Sequence, residues 1–122
     1  MNSYVSFEID MAQAEWALPE TLQELILAGD AEIVSEIIDL FKSDTAQRLT
    51  LLRQALVQLD GARVRAQAHS IKGSAVQVGA NSLAALCQRI ELDARTPPCE
   101  ELEELVSQAE ADFETLCRLP LI

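Results

Sequence analysis

Gln67-Ala-His-Ser-Ile-Lys-Gly-Ser-Ala-Val-Gln-Val-Gly79 holds the only histidine of the chain, His69, with Lys72 and two of the four glycines, Gly73 and Gly79. From Asp60 to Gly79 the sequence reads as one helix. On a wheel of about 100° per residue, Val64, Ala68, Ile71, Ala75 and Val78 fall within roughly 80° of one another, a single apolar stripe. His69 lies about 140° from the centre of that stripe, so it points away from the core. Lys72 is one turn further on and Gly73 sits at i+4, both neighbours of the histidine on a helix surface. Glycine inside a helix costs about 1 kcal/mol against alanine. Here its missing side chain would leave the imidazole open to a bulky group or to another protein.

An exposed imidazole beside a lysine suits one chemistry well. A neutral ring nitrogen can accept a phosphoryl group, and the ammonium can balance the charge that arrives. The surroundings agree. From Gly61 to Ile90 there is no Asp or Glu, while Arg63, Arg65, Lys72 and Arg89 all lie there; the twenty acids of the chain are elsewhere. A locally basic hairpin on an acidic protein favours an incoming anion.

Upstream, Asp30 caps a long helix of about 30 residues. Val34, Ile38, Phe41, Thr45, Leu49, Leu52, Leu56 and Leu59 repeat along it in steps of three and four, a continuous core stripe. Ile33, Ile37 and Leu40 add a second stripe, read either as contact with a short preceding helix or as a patch for a partner protein. That short helix opens at Pro19, buries Leu22, Leu25 and Ile26, and ends at Gly29. Asp60-Gly61 breaks the chain before the histidine helix. Met1 to Leu18 reads as a partly ordered arm with a turn of helix, anchored by Phe7, Ile9, Met11 and Trp16.

Downstream, Gly79 ends the histidine helix and Asn81 caps the next. Leu83, Leu86, Cys87, Ile90 and Ala94 form its inner face, with Glu91 and Arg95 on the flank as an i,i+4 pair. Thr96-Pro97-Pro98 stops it. The last helix buries Leu102, Leu105, Val106, Ala109, Phe113 and Leu116. Its outer glutamates, Glu100, Glu101, Glu103, Glu104, Glu110 and Glu114, read as a solvated face. The expected fold is all-α: an antiparallel four-helix bundle with a short extra N-terminal helix. The arm covers residues 1–18 and a single helical domain covers 19–122.

With 122 residues, 49% of them hydrophobic, the chain can bury a core of its own. A net charge of −11 argues against nucleic acid and against anionic membrane surfaces. The apolar runs are too short to span a bilayer, and no signal peptide is visible, so a cytoplasmic location is expected. Cys87, Cys99 and Cys117 form no Cys-x-x-Cys pair and read as reduced, buried thiols. No metal site is expected, because His69 lacks ligands at metal spacing. Ser70 and Ser74 flank His69 without the acid or elbow motif of a hydrolase triad. Glycine-rich nucleotide loops are absent. On the residues alone, a surface histidine without a role stays open.

Ala68-His-Ser-Ile-Lys-Gly-Ser-Ala75, followed by Gly79, Leu83, Cys87 and Ile90-Glu91, resembles the histidine-containing phosphotransfer (HPt) domains of multistep phosphorelays. Leu40-Phe41 and Arg48-Leu-Thr-Leu-Leu52 extend the resemblance weakly upstream, so that it covers roughly residues 30 to 117. The resemblance implies that His69 is phosphorylated, Lys72 neutralises the phosphoryl group, and Gly73 keeps the approach open. Ser74 would bond within the helix or near the site. Glu91 falls where relatives often carry a polar residue, frequently an amide; a carboxylate would orient the imidazole instead. Arg95 matches a basic position of some relatives. Arg65, Val76, Gln77, Ile33, Ile37 and Leu40 would meet the partner.

Those partners would be receiver domains of hybrid histidine kinases and response regulators, which supply the Mg²⁺. No cofactor of its own and no autonomous catalysis are expected; a stand-alone protein is expected, and the resemblance favours a monomer. The competing expectations are a receiver-docking adaptor that relays no phosphate, or the isolated phospho-accepting domain of a chemotaxis-type histidine kinase.

Overall fold

The computed structural model describes residues 14–94 and 100–121, and every regular element in it is helical. The helices are α1 (Glu20–Leu27), α2 (Ala31–Val57), α3 (Gly61–Val78), α4 (Asn81–Asp93) and α5 (Glu100–Arg118). Consecutive helices pack on one another from α1 to α5, and α2 also meets α5. No described helix is long and apolar enough to cross a membrane.

Three helices end in the same way. A residue in the left-handed region turns the chain, and the following N–H reaches back to a carbonyl five residues earlier, which satisfies an otherwise orphaned acceptor. Gly29 (φ 91°) does this after α1, with Asp30 N–H bonded to Leu25 O at 2.9 Å. Gly79 (φ 77°) does it after α3, with Ala80 N–H bonded to Ala75 O at 2.9 Å. After α2 the residue is Leu59 (φ 59°), with Asp60 N–H bonded to Ala55 O at 2.9 Å. Leu59 was expected in the buried stripe; it lies beyond the helix end and is exposed. Gly61, expected to help break the chain, is instead the first residue of α3.

Two of the helix starts differ from expectation by one position. Pro19 is the N-cap of α1 rather than its first residue, and Ala80 rather than Asn81 caps α4. Asp30 is the N-cap of α2, but its side chain makes no capping bond. Asp60 does cap α3, accepting from Arg63 N–H at 3.1 Å.

The apolar stripes meet in one core. Val34, Ile38, Phe41, Leu49, Leu52 and Leu56 of α2 face the five stripe residues of α3, together with Leu83, Cys87 and Ile90 of α4 and Leu102, Leu105, Val106, Ala109 and Leu116 of α5. Residues 14–18 are not helical. They run as a strap over the helix ends, with Trp16 edge-on to Phe41 and its indole N–H bonded to Leu116 O at 3.1 Å. Ala17 N–H bonds Gly79 O at 2.8 Å. A β-carbon on Gly79 would lie 1.9 Å from Ala17 O, so this glycine serves both the left-handed turn and the close approach of the strap. Phe7, Ile9 and Met11, the other expected anchors of the arm, lie outside the described residues.

Two polar side chains are buried in this core, Thr45 and Asp112. The Thr45 hydroxyl has no hydrogen-bond partner among the described residues. Asp112 accepts from Ser82 Oγ at 2.9 and 3.0 Å, and burial pushes its carboxyl up. The acidic face of α5 is not simply solvated. Arg53 of α2 reaches across to Glu110 with two nitrogens, at 2.6 and 3.1 Å, and to Glu103. Of the cysteines, Cys87 is buried, its thiol pushed up to about 12 by desolvation first and then by Asp112. Cys117 is exposed, against the expectation of burial, and Cys99 lies outside the described residues.

Candidate functional site

The five stripe residues of α3 are buried, which turns the opposite face of the helix outward. His69 stands on that outward face with its side chain 67% exposed. Along the seam with α4, three residues of α3 find partners in reverse order. Arg65 donates to Ala94 O at 2.8 Å, His69 Nδ1 lies 2.9 Å from Glu91 Oε2, and Lys72 Nζ lies 2.8 Å from Gln88 Oε1. Positions 65, 69 and 72 thus match 94, 91 and 88, so α3 and α4 run in opposite directions along the seam.

Glu91 joins the site together. One oxygen faces His69, and the other accepts from Lys72 Nζ at 2.7 Å. The side chains of Glu91 and Lys72 are only 22% and 25% exposed, so the pair is partly shielded from water. The bond from Lys72, and then that from His69, hold the Glu91 carboxyl below its ordinary value. A carboxylate only accepts hydrogen bonds, so in the neutral ring the proton must sit on Nδ1. The lone pair is then left on Nε2, which has no partner among the described residues. Lys72 further favours the ionised form of Glu91, Glu91 fixes the tautomer, and the tautomer leaves an outward-facing nucleophilic nitrogen.

Space above the ring is open. A β-carbon built on Gly73 would meet nothing within 4 Å. Val76 and Gln77, further along the same side, are exposed. Ser74 bonds within the helix, to Ser70 O at 3.3 Å. Of the second stripe on α2, Ile37 packs partly on the core while Ile33 and Leu40 are exposed. Arg65, expected to meet a partner, uses one guanidinium nitrogen to hold the C-terminal carbonyl of α4. The expected Glu91–Arg95 pair cannot be described, because Arg95 lies outside the described residues; Glu91 itself turns toward α3. No group of three or more His, Cys, Asp or Glu that could hold a metal occurs among the described residues.

Gln88 was not singled out from sequence. Its signal was modest: it lies three residues before Glu91, on the same face of α4, where neighbours on a helix stack.

A family model described as Hpt domain matches residues 36–116, more than half of the chain. Comparison with curated proteins and with solved structures yields no match.

Proposed function

The chain belongs to the Hpt domain family, and from that premise we propose that it is a phosphoryl carrier in a multistep two-component phosphorelay. In this reading His69 takes a phosphoryl group from the aspartate of one receiver domain and passes it to the aspartate of another. The observation that carries the reading is the His69–Glu91 bond at 2.9 Å, made through Nδ1 by a ring that is otherwise exposed.

The step balances without a proton leaving. The lone pair of Nε2 attacks phosphorus, the Nε2–P bond forms, and the P–O bond to the donor aspartate breaks. The donor leaves as a carboxylate. The Nδ1 proton stays on the ring, where the Glu91 carboxylate offsets the positive charge that the ring gains. The reverse sequence delivers the group to the next aspartate. Lys72 lies one turn from the ring and meets the phosphoryl oxygens as a cation. Mg²⁺ belongs to the receiver on this reading, and no autonomous catalysis is assigned to this chain.

The scaffold proposed is an antiparallel four-helix bundle, α2 to α5, with α1 as the short extra helix. The opposed run of α3 and α4 and the short links between α2, α3 and α4 support it. The receiver would dock over Gly73, Val76 and Gln77, with Ile33, Ile37 and Leu40 at the edge. The openness above Gly73 and the exposure of most of these residues support that placement.

Incubation with phosphorylated receiver domains and Mg²⁺ tests the reading. Acid-labile, base-stable label should appear on the wild-type chain and be absent from His69→Gln, whose fold persists because the side chain faces outward. Label that survives in His69→Gln would overturn it.

A further inference from the structure

Lys72 is held from two sides. Glu91 Oε1 accepts from its ammonium at 2.7 Å and Gln88 Oε1 accepts at 2.8 Å. The two acceptors are not equivalent. Glu91 is an anion, so its bond cancels much of the charge that Lys72 would present to a phosphoryl group. Gln88 is a neutral amide, whose oxygen fixes the direction of the ammonium and leaves its charge in place. A lysine side chain carries about 2 kcal/mol of rotamer entropy, so a free one spends little time in any single geometry.

We infer that Gln88 is a positioning residue for phosphoryl transfer, acting through Lys72. Its amide oxygen gives the ammonium, already in contact with Glu91 at 2.7 Å, a second fixed direction at 2.8 Å. An ammonium has three donors; with Glu91 and Gln88 taking two, the third is left for a group arriving on His69 Nε2. The anchor comes from α4 while the lysine comes from α3, so the charge is placed by the helix seam and not by the lysine alone. This assignment rests on the phosphoryl-carrier reading of His69.

The test uses phosphoramidate, a small donor that phosphorylates imidazole directly and needs no receiver domain. Gln88→Met keeps the length of the side chain and removes the acceptor. It should slow loading of His69 by about three- to tenfold, the range of one ordinary net hydrogen bond, because the charge of Lys72 and its bond to Glu91 remain. Thermal stability should be unchanged, because the side chain is exposed. Lys72→Ala should slow loading by at least as much, and Gln88→Met should add nothing further in the Lys72→Ala background, since a residue acting through another is silent once that other is gone.

The ammonium signal of Lys72 in ¹⁵N NMR gives a second readout, and its protons should exchange with water faster in Gln88→Met. Unchanged loading in Gln88→Met, or an equal loss in the presence and absence of Lys72, would overturn the positioning role. No loading of the wild-type chain would overturn the phosphoryl-carrier reading and this inference with it. Normal loading with an inert Gln88→Met would remove only the latter.

Discussion

His69 Nδ1 and Glu91 Oε2 lie 2.9 Å apart across the seam of α3 and α4, although the two residues are 22 positions apart in sequence. The bond decides which nitrogen of the ring can react. Glu91→Leu should therefore reduce phosphoryl loading of His69 by at least about tenfold. The loss should stay well short of the ~10⁴ seen when a ring is locked in the wrong tautomer, because an unpartnered imidazole still exchanges its proton. The ¹⁵N shifts of the ring should show one tautomer, with the proton on Nδ1, in the wild type and a mixture in Glu91→Leu. A single unchanged tautomer in the variant would remove Glu91 from the site.

Acid should loosen this site only at unusually low pH. The folded value of Glu91 is lowered, first by the Lys72 bond and then by His69. Its contribution to folding is therefore fully present above glutamate's ordinary value and is lost as pH falls through the lowered one. Asp112 has the opposite sign. Burial raises its folded value, so its contribution is fully present below aspartate's ordinary value and is lost as pH rises through the raised one. Asp112→Asn, which keeps an acceptor for Ser82, should raise stability at neutral pH and change it little in acid. Urea unfolding at both pH values checks this; a variant less stable at neutral pH would show that the charge of Asp112 is needed.

Gly73 within the site helix and Gly79 at its C-terminal cap should respond in opposite directions. Gly73→Gln adds a side chain to open space within a helix, which should stabilise the fold by about 0.5–1 kcal/mol while blocking transfer from a receiver domain. Gly79→Ala places a β-carbon against Ala17 O at a positive φ, and should destabilise by about 1–3 kcal/mol. Thermal melts and transfer assays on the two variants separate the effects. Normal transfer in Gly73→Gln would show that the partner does not cover this spot.

Thr45 offers a stabilising substitution. Its hydroxyl is buried without a partner among the described residues, and leaving such a group unpaired costs about 1–3 kcal/mol. Thr45→Val removes the hydroxyl and fills nearly the same volume, so it should stabilise the fold by about 1 kcal/mol. A loss of stability on chemical denaturation would indicate that the hydroxyl is satisfied, for instance by a buried water.

What could be read along the chain was what depends on neighbours three and four residues away. The stripe from Val64 to Val78 and the outward face of His69 follow from a period of 3.6, and each matches the structure. The stripe of α2 also matches as far as Leu56. Its last member, Leu59, does not, because the chain must reverse there and the left-handed turn falls on a leucine that no glycine signal marks.

Contacts between helices had no such period to reveal them. Glu91 read as a partner for Arg95 within its own helix, yet it serves His69 and Lys72 on another. Glu103 and Glu110 read as solvated until Arg53, about 50 residues away, was placed against them. Asp112, an acid among acids in sequence, is buried because the packing of α4 brings Ser82 to it. Helical periodicity assigns each side chain to a face, because that is local geometry. Which faces meet, and at what register, is settled by the packing of whole stripes, and that packing turns a lysine, a glutamate and a histidine into one site.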